Sequence, residues 1–264
     1  MKIAIIGAGN MGGAIARGLV RSKFTAASDI TCTAHLQSIL DRLHEWNSDL
    51  NVITDNCEAV RDADVVILAV KPWLVEPVIQ EMKPAFDYSR QIIVSVAAGI
   101  TTGQLYQFLL KNDKYIAPTI FRAIPNTAAD VGSSMTFLCS HGATEEQTAL
   151  ITSLFGAMGD TMNIEERLMG AGTALASCGI AYAMRYIRAS IEGGVEMGFY
   201  PEQAQQIVLS TVKGAVDLLR ASGNNPEQEI DKVTTPGGIT IKGLNEMELA
   251  GFTSAVIRGL KKGV

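Results

Sequence analysis

From Lys2 to Ile164 short apolar runs alternate with segments of helical period; beyond Ile164 the short runs stop and helical spacing continues to the C-terminus. β-branched runs interleaved with amphipathic helices build a parallel sheet covered by helices. The runs predict strands at Lys2–Ile6, Ile30–Thr33, Asn51–Ile53, Val65–Val70, Ile92–Val96, Thr119–Ala123, Met135–Cys139 and Thr161–Ile164. Helical spacing predicts a helix from Asn10 to about Val20 and others opening near Leu36, Trp73, Thr102 and Glu145. Breaks at Gly198-Phe199-Tyr200-Pro201 and Gly223-Asn224-Asn225-Pro226 divide the second stretch into further helices. Two domains are expected, an α/β domain over 1–164 and an all-α domain over 165–264. The second is rich in Gly, Ala, Ser and Thr, and its helices are apolar around most of their circumference. Such helices need cover on more than one side, so a homo-oligomer with a dimer as its basic unit is expected.

Charge and composition narrow the function. Lys and Arg total 22 against 27 Asp and Glu, a net charge of -5, and no basic field exists to collect nucleic acid. Cys32, Cys57, Cys139 and Cys178 form no CxxC pair and have no histidine at ligand spacing, so neither a metal site nor a disulfide framework is expected. Leu168 to Met184 runs about 17 residues without a charge, near the lower limit for a spanning helix. Its small polar residues, and Arg185, Arg188 and Glu192 directly after it, mark a helix buried against protein rather than lipid. The opening Met1-Lys2 leads into a strand pattern without the layout of a signal peptide, and a cytoplasmic protein is expected.

The first strand runs into Gly7-Ala8-Gly9-Asn10-Met11-Gly12 and then into a helix. GxGxxG in that setting is the Rossmann dinucleotide fingerprint: a tight turn, a close backbone approach to a pyrophosphate, and close packing of helix on strand. The fingerprint often places an acidic residue about 20 residues on, to hold the ribose 2′-hydroxyl of NAD. Here the second strand ends Cys32-Thr33-Ala34-His35, with no carboxylate to repel a 2′-phosphate, and Thr33, His35 and Ser38 offer donors. NADPH is therefore the expected cofactor, with NADH less favoured; the plainer alternative has Thr33 and Ser38 capping the next helix. Ala69-Val70-Lys71-Pro72 ends a buried strand at the ligand crevice, where Lys71 either touches the ligand or is simply solvated. Small residues after Ser95 leave room for a flat ring, which places the nicotinamide beside Ala97.

Catalytic groups are otherwise scarce. His35, His44 and His141 have no carboxylate or serine at a suggestive spacing. Hydride transfer needs no triad, because the cofactor carries the hard step. The most distinctive segment is Thr234-Thr235-Pro236-Gly237-Gly238-Ile239-Thr240, a turn leading into a helix whose first N–H groups can converge on a carboxylate. On its own, Thr240 reads first as a helix cap after the loop, and only second as a hydroxyl pointed inward.

That segment, with Gly7 to Gly13, Ala69 to Pro72, Ser95 to Ile100, Pro125-Asn126-Thr127 and Gly193 to Gly198, resembles the Δ1-pyrroline-5-carboxylate reductases along nearly the whole chain. The resemblance implies NAD(P)H-dependent reduction of 1-pyrroline-5-carboxylate to L-proline, the last step of proline biosynthesis. It implies substrate contacts from Thr235, Gly237, Gly238 and Thr240, with Thr240 as the catalytic residue at the ring nitrogen, and a cofactor contact from Asn56. Two departures stand out. Ala128 follows Asn126-Thr127 where many relatives have proline, and Ala176-Ser177-Cys178-Gly179-Ile180-Ala181-Tyr182 stands where the family often reads Ser-Gly-Ser-Gly-Pro-Ala-Tyr. Two rival readings remain: a β-hydroxy acid dehydrogenase, which would need a positioned lysine such as Lys213, and a non-catalytic NADP sensor.

Overall fold

The computed structural model describes residues 1–111 and 117–264. In the described residues the first part of the chain forms an eight-stranded sheet. Its elements are β1 (Ile3–Ile6), α1 (Asn10–Arg21), β2 (Ile30–Thr33), α2 (Gln37–Trp46), β3 (Asn51–Ile53), α3 (Asn56–Arg61), β4 (Val65–Leu68), α4 (Val75–Met82), β5 (Ile92–Ser95), α5 (Thr102–Leu109), β6 (Thr119–Ile124), β7 (Ser134–His141), α6 (Glu145–Gly156) and β8 (Gly159–Asn163). The strand order is β3-β2-β1-β4-β5-β6-β7-β8.

All eight expected strands are present, but the sheet is not wholly parallel. β7 pairs antiparallel to β6, and β8 then runs parallel to β7. The connection 125–133 is shorter than the dozen or so residues a parallel crossover needs, so the chain must turn back beside β6. α6 supplies the crossover that makes β8 parallel to β7.

Central strands are buried on both faces, which is why they read as unbroken apolar runs. Alternate residues serve opposite layers. Ile3, Ile5, Ile67 and Val94 meet Ile15 and Leu19 of α1 and Leu154 and Phe155 of α6, whereas Ala4, Ile6, Val66, Leu68 and Ile93 meet Val75 and Ile79 of α4 and Leu105 of α5. α1 lies directly on the turn Thr127–Val131: a side chain at Gly18 would overlap the Ala129 carbonyl and come within 2.9 Å of Met158. Arg17 Nε donates to Asp130 Oδ2 at 2.8 Å across the same contact.

The chain divides into two compact units, Met1–Ser177 and Cys178–Val264. The expected division at 164/165 marks the end of the sheet, but the next residues stay with it. Met169, on α7 (Met169–Gly172), packs with Ile124 and Phe137, and Gly172 lies against the Phe137 ring, where an added Cβ would sit 2.7 Å away. The stretch read as one helix from Leu168 to Met184 is interrupted: a π-helical turn at Thr173–Cys178 separates α7 from α8 (Gly179–Glu196).

The second unit holds α8, α9 (Pro201–Ser222), α10 (Pro226–Val233), α11 (Ile239–Leu249) and α12 (Phe252–Lys262). α8 and α9 approach closely, with Gly194 facing the Ala204 methyl. Gly194 and Ala204 are also the residues of this unit that are buried. Met184, Leu218 and Ile257 are 58%, 58% and 50% exposed. None of the described helices is long and apolar enough to cross a membrane.

Gly18→Ala should destabilise the first unit even though alanine favours a helix by about 1 kcal/mol, because overpacking against backbone costs about 1–3 kcal/mol. Urea unfolding at fixed protein concentration reads the difference; a variant as stable as the parent would show that α1 can move off the turn freely.

Candidate active site

The glycine turn between β1 and α1 has three distinct constraints. Gly7 sits at φ +96°, and a Cβ there would crowd Val70 at 2.8 Å and the Ala69 backbone at 3.1 Å. A Cβ on Gly12 would overlap the Gly7 carbonyl. Gly9 differs: a Cβ there meets no protein atom within 4 Å. Gly9 is also the N-cap of α1, which has no side-chain cap and no acidic residue in its first turn. The first N–H groups of α1, at Asn10 and Met11, are therefore left for an outside anion. These are the features a dinucleotide pyrophosphate requires, and the residues present fit one.

Two arginines missed in the sequence flank this turn. Ala8, Gly9 and Asn10 share a cleft of about 240 Å³ with Arg17, Arg42, Ile39 and Leu43. Arg17 is ion-paired with Asp130, whereas Arg42 Nε donates to the Ser38 carbonyl of its own helix, at 3.1 Å. Thr33 is corrected by its surroundings. It is 1% exposed and its hydroxyl donates to Asn56 Oδ1 at 2.6 Å, while its carbonyl accepts from Gly7 and Ala8. Thr33 and Asn56 thus brace the glycine turn from behind, and Thr33 has no free donor for a phosphate. Nor does Thr33 or Ser38 cap α2, whose N-cap is Leu36 with no side-chain bond.

Ala69 and Val70 follow β4 beside Gly7, Lys71 is exposed, and Pro72 opens a short 3-10 turn. After β5, Ala97 is 4% exposed with its methyl in the core, so the open part of that loop is Ala98 and Gly99. The loop ends in a capping box between Thr101 and Gln104 at the start of α5. Glu166 reaches the same helix end, accepting from Thr102 N at 2.6 Å and Oγ1 at 2.5 Å, and pairs with Arg122 at 2.8 Å. Burial alone would raise the Glu166 carboxyl, but the Thr102 hydrogen bonds and the Arg122 charge outweigh it and hold the group below the usual glutamate range.

In the helical unit, Thr235 to Gly238 form a tight turn closed by Gly238 N donating to Thr235 O at 2.9 Å, with Gly237 at φ +73°. Gly238 is the N-cap of α11 and offers no side-chain cap. Thr240 lies inside the helix, so the capping alternative falls away, and its side chain is exposed. Lys213, the lysine a hydroxy-acid dehydrogenase would need, is exposed and ion-paired with Asp217 one turn away. Among the described residues no His, Cys, Asp and Glu side chains gather as a metal site. Burial pushes the Cys32 thiol up to about 12, which leaves it without nucleophilic character at neutral pH.

A glycine turn feeding a helix at the carboxyl edge of such a sheet, followed by a helical unit, defines a dinucleotide-dependent oxidoreductase with a helical partner domain. Residues 2–99 match the family described as NADP oxidoreductase, coenzyme F420-dependent, and residues 166–264 match pyrroline-5-carboxylate reductase dimerisation. Pyrroline-5-carboxylate reductase 1 of Dictyostelium discoideum is 37% identical over 98% of this chain, which spans 48% of that longer protein. The pyrroline-5-carboxylate reductase of Arabidopsis thaliana is 37% identical over 98% of this chain and 91% of its own. A Plasmodium falciparum pyrroline carboxylate reductase solved with NADP bound superposes with a TM-score of 0.90 at 27% identity, covering 100% of this chain and 95% of that one. The chain belongs to the pyrroline-5-carboxylate reductase family, NADP-linked oxidoreductases of the last step of proline biosynthesis that carry a dimerisation domain.

Gly9→Val should abolish dinucleotide binding without unfolding either unit, since the new side chain fills only the space of the pyrophosphate. Fluorescence titration with NADPH, with circular dichroism as the folding control, checks this. Undiminished affinity would mean that the phosphates lie elsewhere.

Proposed function

We propose that this chain binds NADPH on Gly7, Ala8, Gly9, Asn10, Met11 and Gly12, backed by Thr33 and Asn56 and flanked by Ala69 to Pro72 and the Ala97 loop. It holds 1-pyrroline-5-carboxylate on Thr235, Gly237, Gly238 and Thr240. The observation that carries the reading is the pair of glycine N-caps without side-chain acceptors, at α1 in one unit and α11 in the other. Each leaves donor groups for an anion, the pyrophosphate in the first case and the substrate carboxylate in the second. A net acidic chain can in this way bind two anionic molecules without a basic cleft. The sheet-bearing unit, Met1–Ser177, is the NADP-binding part and the helical unit, Cys178–Val264, the substrate-binding and dimerisation part of a cytoplasmic homo-oligomer built from dimers.

Bound NADPH supplies the hydride. The substrate accepts it at the ring carbon of its C=N bond; the π pair moves to nitrogen, and a proton on that nitrogen completes L-proline. Thr240 Oγ1 is the hydrogen-bond partner of the ring nitrogen and fixes the ring plane. A threonine hydroxyl is too weak an acid to give up its proton unaided at neutral pH, and no ionisable side chain lies between Thr234 and Lys242. The proton therefore arrives with the substrate as an iminium N–H, for which Oγ1 is an acceptor. The α11 N–H groups fix the carboxylate, so two contacts orient the ring for attack.

Thr240→Ala then removes one hydrogen bond and should lower kcat/KM for the substrate by about tenfold, against the roughly 10²–10⁴ expected of a lost general acid. NADPH affinity and melting temperature should stay near the parent values, because Gly238 is the cap. Early melting with parental turnover would make Thr240 a structural residue and remove it from the site.

Arg42 shares the cleft of the glycine turn, and this reading gives it the 2′-phosphate of NADPH, so Arg42→Ala should lower kcat/KM for NADPH about tenfold or more, the scale of a hydrogen bond to a charged group, while leaving NADH nearly unaffected. Equal losses with both cofactors would show that Arg42 does not meet the 2′-phosphate.

A further inference from the structure

Arg122 is a charged side chain set inside the sheet. It lies on β6 in register with Ser95 of β5, is 5% exposed, and among the described residues its Nε has no partner. A well-packed apolar residue would serve a central strand at least as well as a buried ion pair, so stability alone does not account for it. What the arginine holds is Glu166, and Glu166 holds the first residue of α5 through both the backbone N–H and the hydroxyl of Thr102.

Those contacts bracket one loop. Residues 96–101 leave the sheet beside Arg122, since Ser95 is its register partner, and re-enter regular structure at Thr102. In between, Gly99 adopts φ +81° and Ala97 N donates to Ser95 Oγ at 3.3 Å. The Thr101–Gln104 capping box satisfies the N–H groups of Gln104 and Thr101, and Glu166 takes the Thr102 N–H that the box leaves open, but any acceptor, water included, could do that much. The distinct effect of Glu166 is to tie the end of the loop to β6.

We infer that Glu166 and Arg122 are positioning residues for hydride transfer, fixing the 96–101 loop on which the nicotinamide lies. The inference rests on the reading above that this loop floors the nicotinamide. Both act through Thr102 and the loop, by contacts made within the protein. A ring allowed to drift loses the near-attack geometry while its phosphates remain held on other elements.

The test uses the full-length oligomer with NADPH and pyrroline-5-carboxylate. Glu166→Gln is expected to lower kcat about tenfold with the KM for NADPH within about twofold, and to raise the deuterium isotope effect seen with 4-deuterated NADPH as hydride transfer becomes limiting. Thr102→Val keeps the ion pair and removes one donor, and should reproduce the same signature at smaller size even if Glu166→Gln folds poorly. Parental kcat and isotope effect in both variants, with only the melting temperature lowered, would overturn the positioning role. Ala98→Leu separates the premise from the inference, because it places bulk at the exposed part of the loop. Unchanged turnover in Ala98→Leu removes the nicotinamide from the loop and the inference with it, whereas slowed Ala98→Leu beside parental Glu166→Gln and Thr102→Val overturns the positioning role alone.

Discussion

The helical unit has no interior of its own. Across Cys178–Val264 the buried positions are Gly194 and Ala204, neither of which carries more than a methyl group. Tyr182, Tyr186, Phe252 and Val256 line an open apolar groove instead of a closed core, and Tyr186 meets Phe252 edge to face at 6.3 Å. Backbone ordering costs about 1–2 kcal/mol per residue, and one chain does not recover that cost here by burial. The missing burial has to come from other copies, in keeping with the family's dimerisation domain over 166–264. The turn carrying Thr235 to Thr240 belongs to this unit, so that turn, on which the proposal above puts the substrate, is only as ordered as the assembly that supports it. Oligomerisation is thus part of building the site.

The sheet stands under the opposite regime. Its central strands are buried on both faces, so their local sequence had to be apolar and largely β-branched, and those strands are legible without tertiary knowledge. Orientation is not. Nothing in Ser134–His141 marks it as antiparallel to β6; the short connection 125–133 decides it, and loop length acts through geometry rather than residue type. α3 escaped notice for a related reason: at Asn56–Arg61 it is too short to show a helical period, and its clearest local mark is Asp55 accepting from Glu58 N.

The site was legible where backbone chemistry dictates the residue and obscure where distance in space does. Gly7 and Gly12 are glycine because a Cβ would strike backbone, and that constraint leaves a sequence trace. Arg42 bears no such mark. It reaches the glycine turn because α2 packs on the same sheet face as α1, and among 22 basic residues nothing in the one-dimensional pattern singles it out. Thr33 shows the converse. Its position at the end of β2 was read correctly, but its hydroxyl is consumed by Asn56, a partner that the fold supplies from the far side of β3.

The departure at Ala176 to Tyr182 follows the same logic. Proline at the position of Ile180 would deny a helix the N–H that a carbonyl one turn earlier, at residue 176, expects. Ile180 restores that N–H, and a regular helix through this segment would be the simple consequence. The chain instead keeps a π-helical turn over Thr173–Cys178, and Asn126 Nδ2 donates to the Ala176 carbonyl at 3.3 Å. Asn126 is 7% exposed and is itself fixed, its Oδ1 accepting from Ala128 N and its own N–H reaching Ser134 Oγ. A buried amide anchored to the end of β6 thus engages the carbonyl that proline would otherwise have freed. With Ile at 180 the interruption between α7 and α8 is present all the same, so a proline there is not needed for the irregular turn, and the Asn126 contact is a tertiary tie that no local pattern announces.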